Sequence, residues 1–155
     1  MRNLRVWPAA TEAVGTYLNT VLDEPVRWAV PTERPDLFVV IRRSGGGSSQ
    51  VLESALIDLE CWSGQPTANP RDTERFAAFV AEQMRRMPAA VNPCTRVDIE
   101  SVAFIPDAVS DSPRYLISAR VWLRPHAPTT ATTTAPGDAD GTTTEKEGIT
   151  DAVSR

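Results

Sequence analysis

Between Pro8 and Leu22 the apolar residues Ala10, Ala13, Val14, Tyr17, Leu18, Val21 and Leu22 recur at steps of three and four, which puts them on one helix face. Pro8 suits the first turn, and Asp23-Glu24-Pro25 ends the run because the residue before a proline avoids helical geometry. Gly15 weakens the middle by roughly 1 kcal/mol relative to Ala, so packing must hold this helix. The period then changes to two. Val26-Arg27-Trp28-Ala29-Val30 alternates, with Val26, Trp28 and Val30 predicted to face inward, and Leu37-Phe38-Val39-Val40-Ile41 is strongly β-prone. From Ser54 to Ser63 a second long strand places Ile57, Leu59 and Cys61 on one face and Asp58, Glu60 and Trp62 on the other. Between these runs lie Arg42-Arg43 and the glycine-rich stretch Ser44–Ser49, which reads as the mobile tip of a long hairpin.

A second helix begins at Asn69-Pro70. Asn is a good N-cap, Pro fits the first turn, and Asp72 and Glu74 sit near the positive end of the helix dipole, Arg85 and Arg86 near the negative end. Its predicted apolar stripe is Phe76, Phe79, Val80, Met84 and Met87, with Pro88 and Pro93 closing it. Two more strands follow, Thr95 to Phe104 and Arg114 to Arg124, joined by the loop from Ile105 to Pro113. In the last strand Tyr115, Ile117, Ala119, Val121 and Leu123 alternate with Arg114, Ser118, Arg120, Trp122 and Arg124. Strands and helices do not alternate regularly, so the pattern predicts an α+β domain: a mostly antiparallel sheet of about five strands with two helices.

The last 29 residues, 127–155, break with this pattern. They hold nine Thr, no aromatic residue, and only Ile149 and Val153 as large aliphatics, a composition that buries too little apolar area to offset ordering entropy. The chain therefore divides into a domain over 1–126 and a low-complexity Thr/Asp/Gly-rich C-terminal arm over 127–155, an extended segment suited to lying over a neighbouring subunit. About 126 residues bury roughly two-thirds of their unfolded surface, enough for a real core.

Charge and composition remove several functions. The net charge is −4, and the arm supplies most of it with five acids against Lys146 and Arg155. A near-neutral domain lacks the basic footprint that tight nucleic-acid binding needs. No apolar run reaches about 18 residues, so no membrane span is expected, and Met1–Val14 lacks a signal peptide's apolar stretch. Cys61 and Cys94 form no C-x-x-C pair and read as free thiols of a reducing compartment. Lys146 is the only lysine, so neither a phosphate-loop lysine nor a Schiff-base amine is present in the domain. His126, the single histidine, stands at the end of the ordered pattern and is assigned no role.

The acidic pairs Asp58/Glu60 and Asp98/Glu100 share strand faces and are the residues a small metal-dependent hydrolase would use. The alternation rule makes them the water-facing row of half-buried strands instead, and Cys61 a buried inert thiol. Arg42, Arg43 and the glycine run suit anions in type, but lack the strand–loop–helix order of a phosphate loop. Trp62 and Trp122 share faces with charged residues and read as interface anchors. No catalytic residue, cofactor or metal site emerges.

Several segments together resemble a known family. Leu37-Phe38-Val39-Val40-Ile41-Arg42-Arg43-Ser44-Gly45-Gly46, then Ile57-Asp58-Leu59-Glu60-Cys61-Trp62, the helix, Pro106-Asp107, Ser112-Pro113-Arg114-Tyr115, and the strand ending Val121-Trp122-Leu123-Arg124 are similar to the tail terminator proteins of long, non-contractile-tailed phages of actinobacteria. The similarity covers roughly residues 9–124. It implies an α+β subunit, not an enzyme, that forms a hexameric ring on the tail tube. Such a ring binds the major tail protein, stops its polymerisation and faces the head-side connector or stopper protein, while genomic DNA passes through the lumen without specific binding. It also implies a location in the tail or neck of the virion, and in the host cytoplasm during assembly. The candidate interface residues are Arg42, Arg43, Gly45, Gly46, Gly47, Trp62, Pro106, Asp107, Arg114, Tyr115 and Trp122. The alternative of comparable size is a head–tail connector, either stopper or adaptor.

Overall fold

The computed structural model describes residues 7–126, so the arm over 127–155 lies outside the described residues. The elements run α1 (Ala10–Val21), β1 (Val26–Arg27), β2 (Leu37–Ser48), β3 (Glu53–Ser63), α2 (Pro70–Ala90), β4 (Cys94–Phe104) and β5 (Arg114–Leu123). The five strands form one sheet in the order β1-β2-β3-β5-β4. All neighbours pair antiparallel except β1 and β2, which are parallel. This is the expected α+β domain with a mostly antiparallel sheet.

The period of two in each strand decides which side chains meet the helices. Val39, Ile41, Ala55, Ile57, Leu59, Cys61, Ile117, Ala119, Val121 and Leu123 project to one face, where α1 and α2 complete the main core with Val14, Tyr17, Leu18, Phe76, Val80, Met84 and Met87. Asn69 caps α2 through its side chain, which accepts from the Arg71 N–H at 3.0 Å. Tyr17 ties the helices together by donating its hydroxyl to the Gln83 carbonyl at 2.8 Å.

Four expectations are corrected. First, Gly45, Gly46 and Gly47 are strand, not a mobile tip: they pair with Leu56, Ala55 and Ser54, and the chain turns at Ser49–Leu52. Glycine's poor strand propensity suggests a loop, but the long β3 supplies a ladder partner for every one of them. Second, Trp28 does not face inward. β1 holds only Val26 and Arg27, and Trp28 is 53% exposed, its ring lying over Gly15 of α1. A Cβ on Gly15 would stand 2.8 Å from that ring, so the glycine serves packing and not flexibility. Third, Phe79 leaves the apolar stripe and is half-exposed, while the small residues Ala77 and Ala81 let α2 sit close to the sheet. Fourth, α2 continues through Pro88 to Ala90: the proline lacks an N–H for the Met84 carbonyl and its ring crowds that carbonyl, but Met84 and Met87, both fully buried in the core, hold the last turn against the sheet.

Gly46 carries the one positive φ among the described glycines, +104°. A Cβ there would fall 2.1 Å from the Ser54 carbonyl oxygen, a backbone atom that cannot swing aside. Gly46→Ala is expected to lower stability by about 1–3 kcal/mol. Thermal unfolding should show a melting temperature roughly 5–15 °C below that of the unchanged protein; an unchanged melting temperature would mean the hairpin can shift its register there.

Candidate functional site

The sheet face away from the helices carries Arg42, Trp62, Arg114 and Trp122 of the candidate residues. Near its β1 end lies a second, smaller core of Phe38, Val40 and Trp62, with Val30 packed against it. Phe38 and Trp62 are cross-strand partners on β2 and β3, and their rings stack 5.8 Å apart at 10°. Trp62 is therefore buried at 2% exposure, which corrects its reading as a half-exposed anchor.

What covers Trp62 is polar. The Arg34 and Arg114 guanidinium carbons lie 5.3 and 4.8 Å from its ring centre, close enough for cation–π attraction. Its indole N–H donates to Glu60 Oε2 at 2.9 Å. Glu60 is also buried, against the expectation of a water-facing carboxylate. Arg42 approaches its Oε1 at 3.4 Å and Arg114 its Oε2 at 3.5 Å, so three donors compensate the buried charge.

The loop between β4 and β5 is fastened to this cluster. Arg34 donates to Ser110 Oγ at 2.8 Å, and Arg114 Nε donates to the Ile105 carbonyl at 2.9 Å. Within the loop, Asp107 accepts from the Ser110 hydroxyl at 2.6 Å and from its backbone N–H at 2.9 Å, an Asx-type closure. The sequence thus brings Arg42, Trp62, Asp107 and Arg114 together, with Pro106 exposed at the start of the loop.

The remaining candidates lie elsewhere. Arg43 and the glycines occupy the far end of the β2–β3 hairpin, where Arg43 reaches Glu53 at 2.6 Å. Trp122 sits at that same end of the sheet under the Arg96 guanidinium, 4.9 Å away, and is only partly exposed. Tyr115 is on the helix side, its ring 5.1 Å from Phe104. These eleven residues form no single patch. Sequence reasoning missed Arg34, Glu60 as a buried hub, and the Ser110 and Ser112 hydroxyls. The spacing Asp107-x-x-Ser110 could have revealed the closed loop; nothing local marks Arg34, whose partners are 28 and 76 positions away.

The acids suggested for metal chemistry are already engaged. Asp58 accepts from Ser118 at 2.9 Å, Asp98 pairs with Arg96 and Glu100 with Arg120, each at 2.6 Å. Among the described residues no group of three metal-ligating side chains converges. Burial pushes the Cys61 thiol far up and that of Cys94 up to about 11, so neither supplies a thiolate at neutral pH.

Asp107 is the carboxyl most altered by its surroundings. The Ser110 hydroxyl and then the Ser110 backbone N–H hold it below its ordinary value of 3.8. A lowered folded pKa stabilises the loop above the unfolded value, and that contribution fades as pH falls through the folded one. The Ser110 amide resonance should hence titrate with a midpoint below 3.8. A midpoint at or above that value, or the same titration in Asp107→Asn, would contradict the contact.

No protein-family model matches the chain, and no curated protein matches it either.

Proposed function

We propose that this chain is a structural virion subunit, a tail terminator whose copies close into a ring on the end of a non-contractile tail tube. The ring halts polymerisation of the major tail protein and offers its other side to the head-side connector. One observation carries the reading: of the segments on which the family resemblance rests, 57–62, 106–107, 112–115 and the first part of 37–46 are knitted into one unit around Trp62 and Glu60, while 121–124 lies at the other end of the sheet. The unit's residues satisfy one another, which is the behaviour of a motif that sets shape and not of one that performs a reaction. The near-neutral to acidic balance of the chain, with no basic footprint in the domain, suits a channel through which DNA must slide without being held. No helix of the described residues is long and apolar enough to cross a membrane.

Assembly of particles without this protein tests the reading. Electron micrographs should show overlong tubes. Tubes of normal length beside DNA-filled heads that leak would instead assign the chain to the connector.

A further inference from the structure

Four of the seven large apolar side chains most exposed among the described residues lie at the two lateral ends of the sheet. Trp28, 53% exposed, flanks β1 at one end; Val102, Phe104 and Ile105, at 46%, 47% and 41%, flank or continue β4 at the other. The register places them at one height. Arg27, Val40, Glu60, Leu116 and Ala103 form a single row across all five strands, so Trp28 and the pair Val102 and Phe104 border the same row from opposite sides. Trp28 leans on α1, and Val102 aligns with the core residue Ile117, so both apolar groups belong to the helix side of the sheet.

The backbone is open at both ends. Among the described residues β4 pairs only with β5, and β1 covers β2 only at Val39 and Val40, leaving Ile41–Ser48 with a free edge. Such edges are templates for another strand. Strand direction also matches: β1 and β2 run opposite to β4, so a second copy set alongside in the same orientation continues the antiparallel alternation. Charge agrees with this pairing. Arg42, Asp58, Ser118 and Ser101 form another row, so the exposed Arg42 stands at the height of Ser101 and its neighbour Glu100. A two-fold pairing of β4 with β4 centred on Ile99 would set Asp98 opposite Glu100 of the other copy, acid against acid, and any two-fold pairing of these strands leaves Trp28 in water.

We infer that the partner of these edges is a second copy of this chain, joined head to tail, with the Trp28-bearing β1–β2 edge of one copy against Val102–Ile105 of the next. The contact is heterologous: each copy keeps one edge free for a further copy, as a closed ring requires. Its use in a capping ring rests on the function proposed above; its position comes from the sheet.

Sedimentation equilibrium of the full chain up to about 1 mM, a range that captures weak contacts, provides the test. The unchanged protein should exceed dimer mass as concentration rises. Trp28→Lys and Phe104→Lys should each stay monomeric, and Val102→Lys serves in place of the second if its circular dichroism shows loss of fold. An equimolar mixture of the two edge variants should form dimers and nothing larger, since only one intact edge of each type remains. A wild-type chain that stays monomeric, variants that associate like it, or a mixture that stays monomeric would overturn the contact. In particles, Trp28→Lys with tails of normal length would overturn the ring reading and leave the contact standing if the mixture still dimerises.

Discussion

Replacing Trp62 by Ala should destabilise the protein by about 3–5 kcal/mol, the range for truncating a buried large aromatic. Trp62 is 2% exposed, and its ring is covered by Phe38 on one side and approached by two guanidiniums. Truncation opens a cavity and leaves Glu60, with only longer contacts to Arg42 and Arg114 at 3.4 and 3.5 Å, as a buried carboxylate short of one donor. A domain of this size has a total stability of about 5–15 kcal/mol, so the variant should be marginal at 37 °C. Trp62→Phe keeps the stack on Phe38 and loses the N–H, for which a smaller cost of about 1–3 kcal/mol is expected. Urea denaturation of the three proteins checks the order. Equal stability of Trp62→Ala and the unchanged protein would mean that the second core is ornamental to the fold.

The second large effect belongs to the hairpin. Glu53 is 5% exposed on the helix side of β3, and its Oε2 has no hydrogen-bond partner among the described residues, while Oε1 is held by Arg43 at 2.6 Å. Arg43→Ala leaves that carboxylate buried without its cation. Breaking a fully buried pair costs about 3–5 kcal/mol; because the Arg43 side chain is 39% exposed, water can reach the gap and roughly 2–3 kcal/mol is expected. Replacing both partners, Arg43→Met with Glu53→Leu, removes the stranded charge and should recover most of the loss. A double variant no more stable than Arg43→Ala would show that the cost came from packing of the arginine stem and not from the carboxylate.

The elements that the sequence revealed are those where periodicity and burial agree. β5 alternates Ile117, Ala119, Val121 and Leu123 inward without exception, and α2 carries a cap, a first-turn proline and an apolar stripe at once. Errors arose where a residue type has two physical uses. Glycine marks loops by propensity, yet Gly45–Gly47 run through a strand because β3 offers a full ladder. A tryptophan beside charged residues looks half-exposed in one strand, but here the charges come from other elements and close over the ring of Trp62. The candidate site was legible only in fragments for the same reason. Trp62, Asp107 and Arg114 were visible as parts of a resemblance, whereas Arg34 and the buried state of Glu60 depend on contacts 28 to 78 residues apart in the chain.

In the proposed function this protein works by shape, as one of several identical copies seated between tail tube and head. A reconstruction of the intact particle measures that directly. The expected map contains a single ring of this chain at the head-proximal end of the tube, six copies if the family resemblance extends to ring number, with the β4 edge of each copy against the Trp28 edge of its neighbour. Density for a lone copy, or for the chain at any site away from the neck, would contradict it.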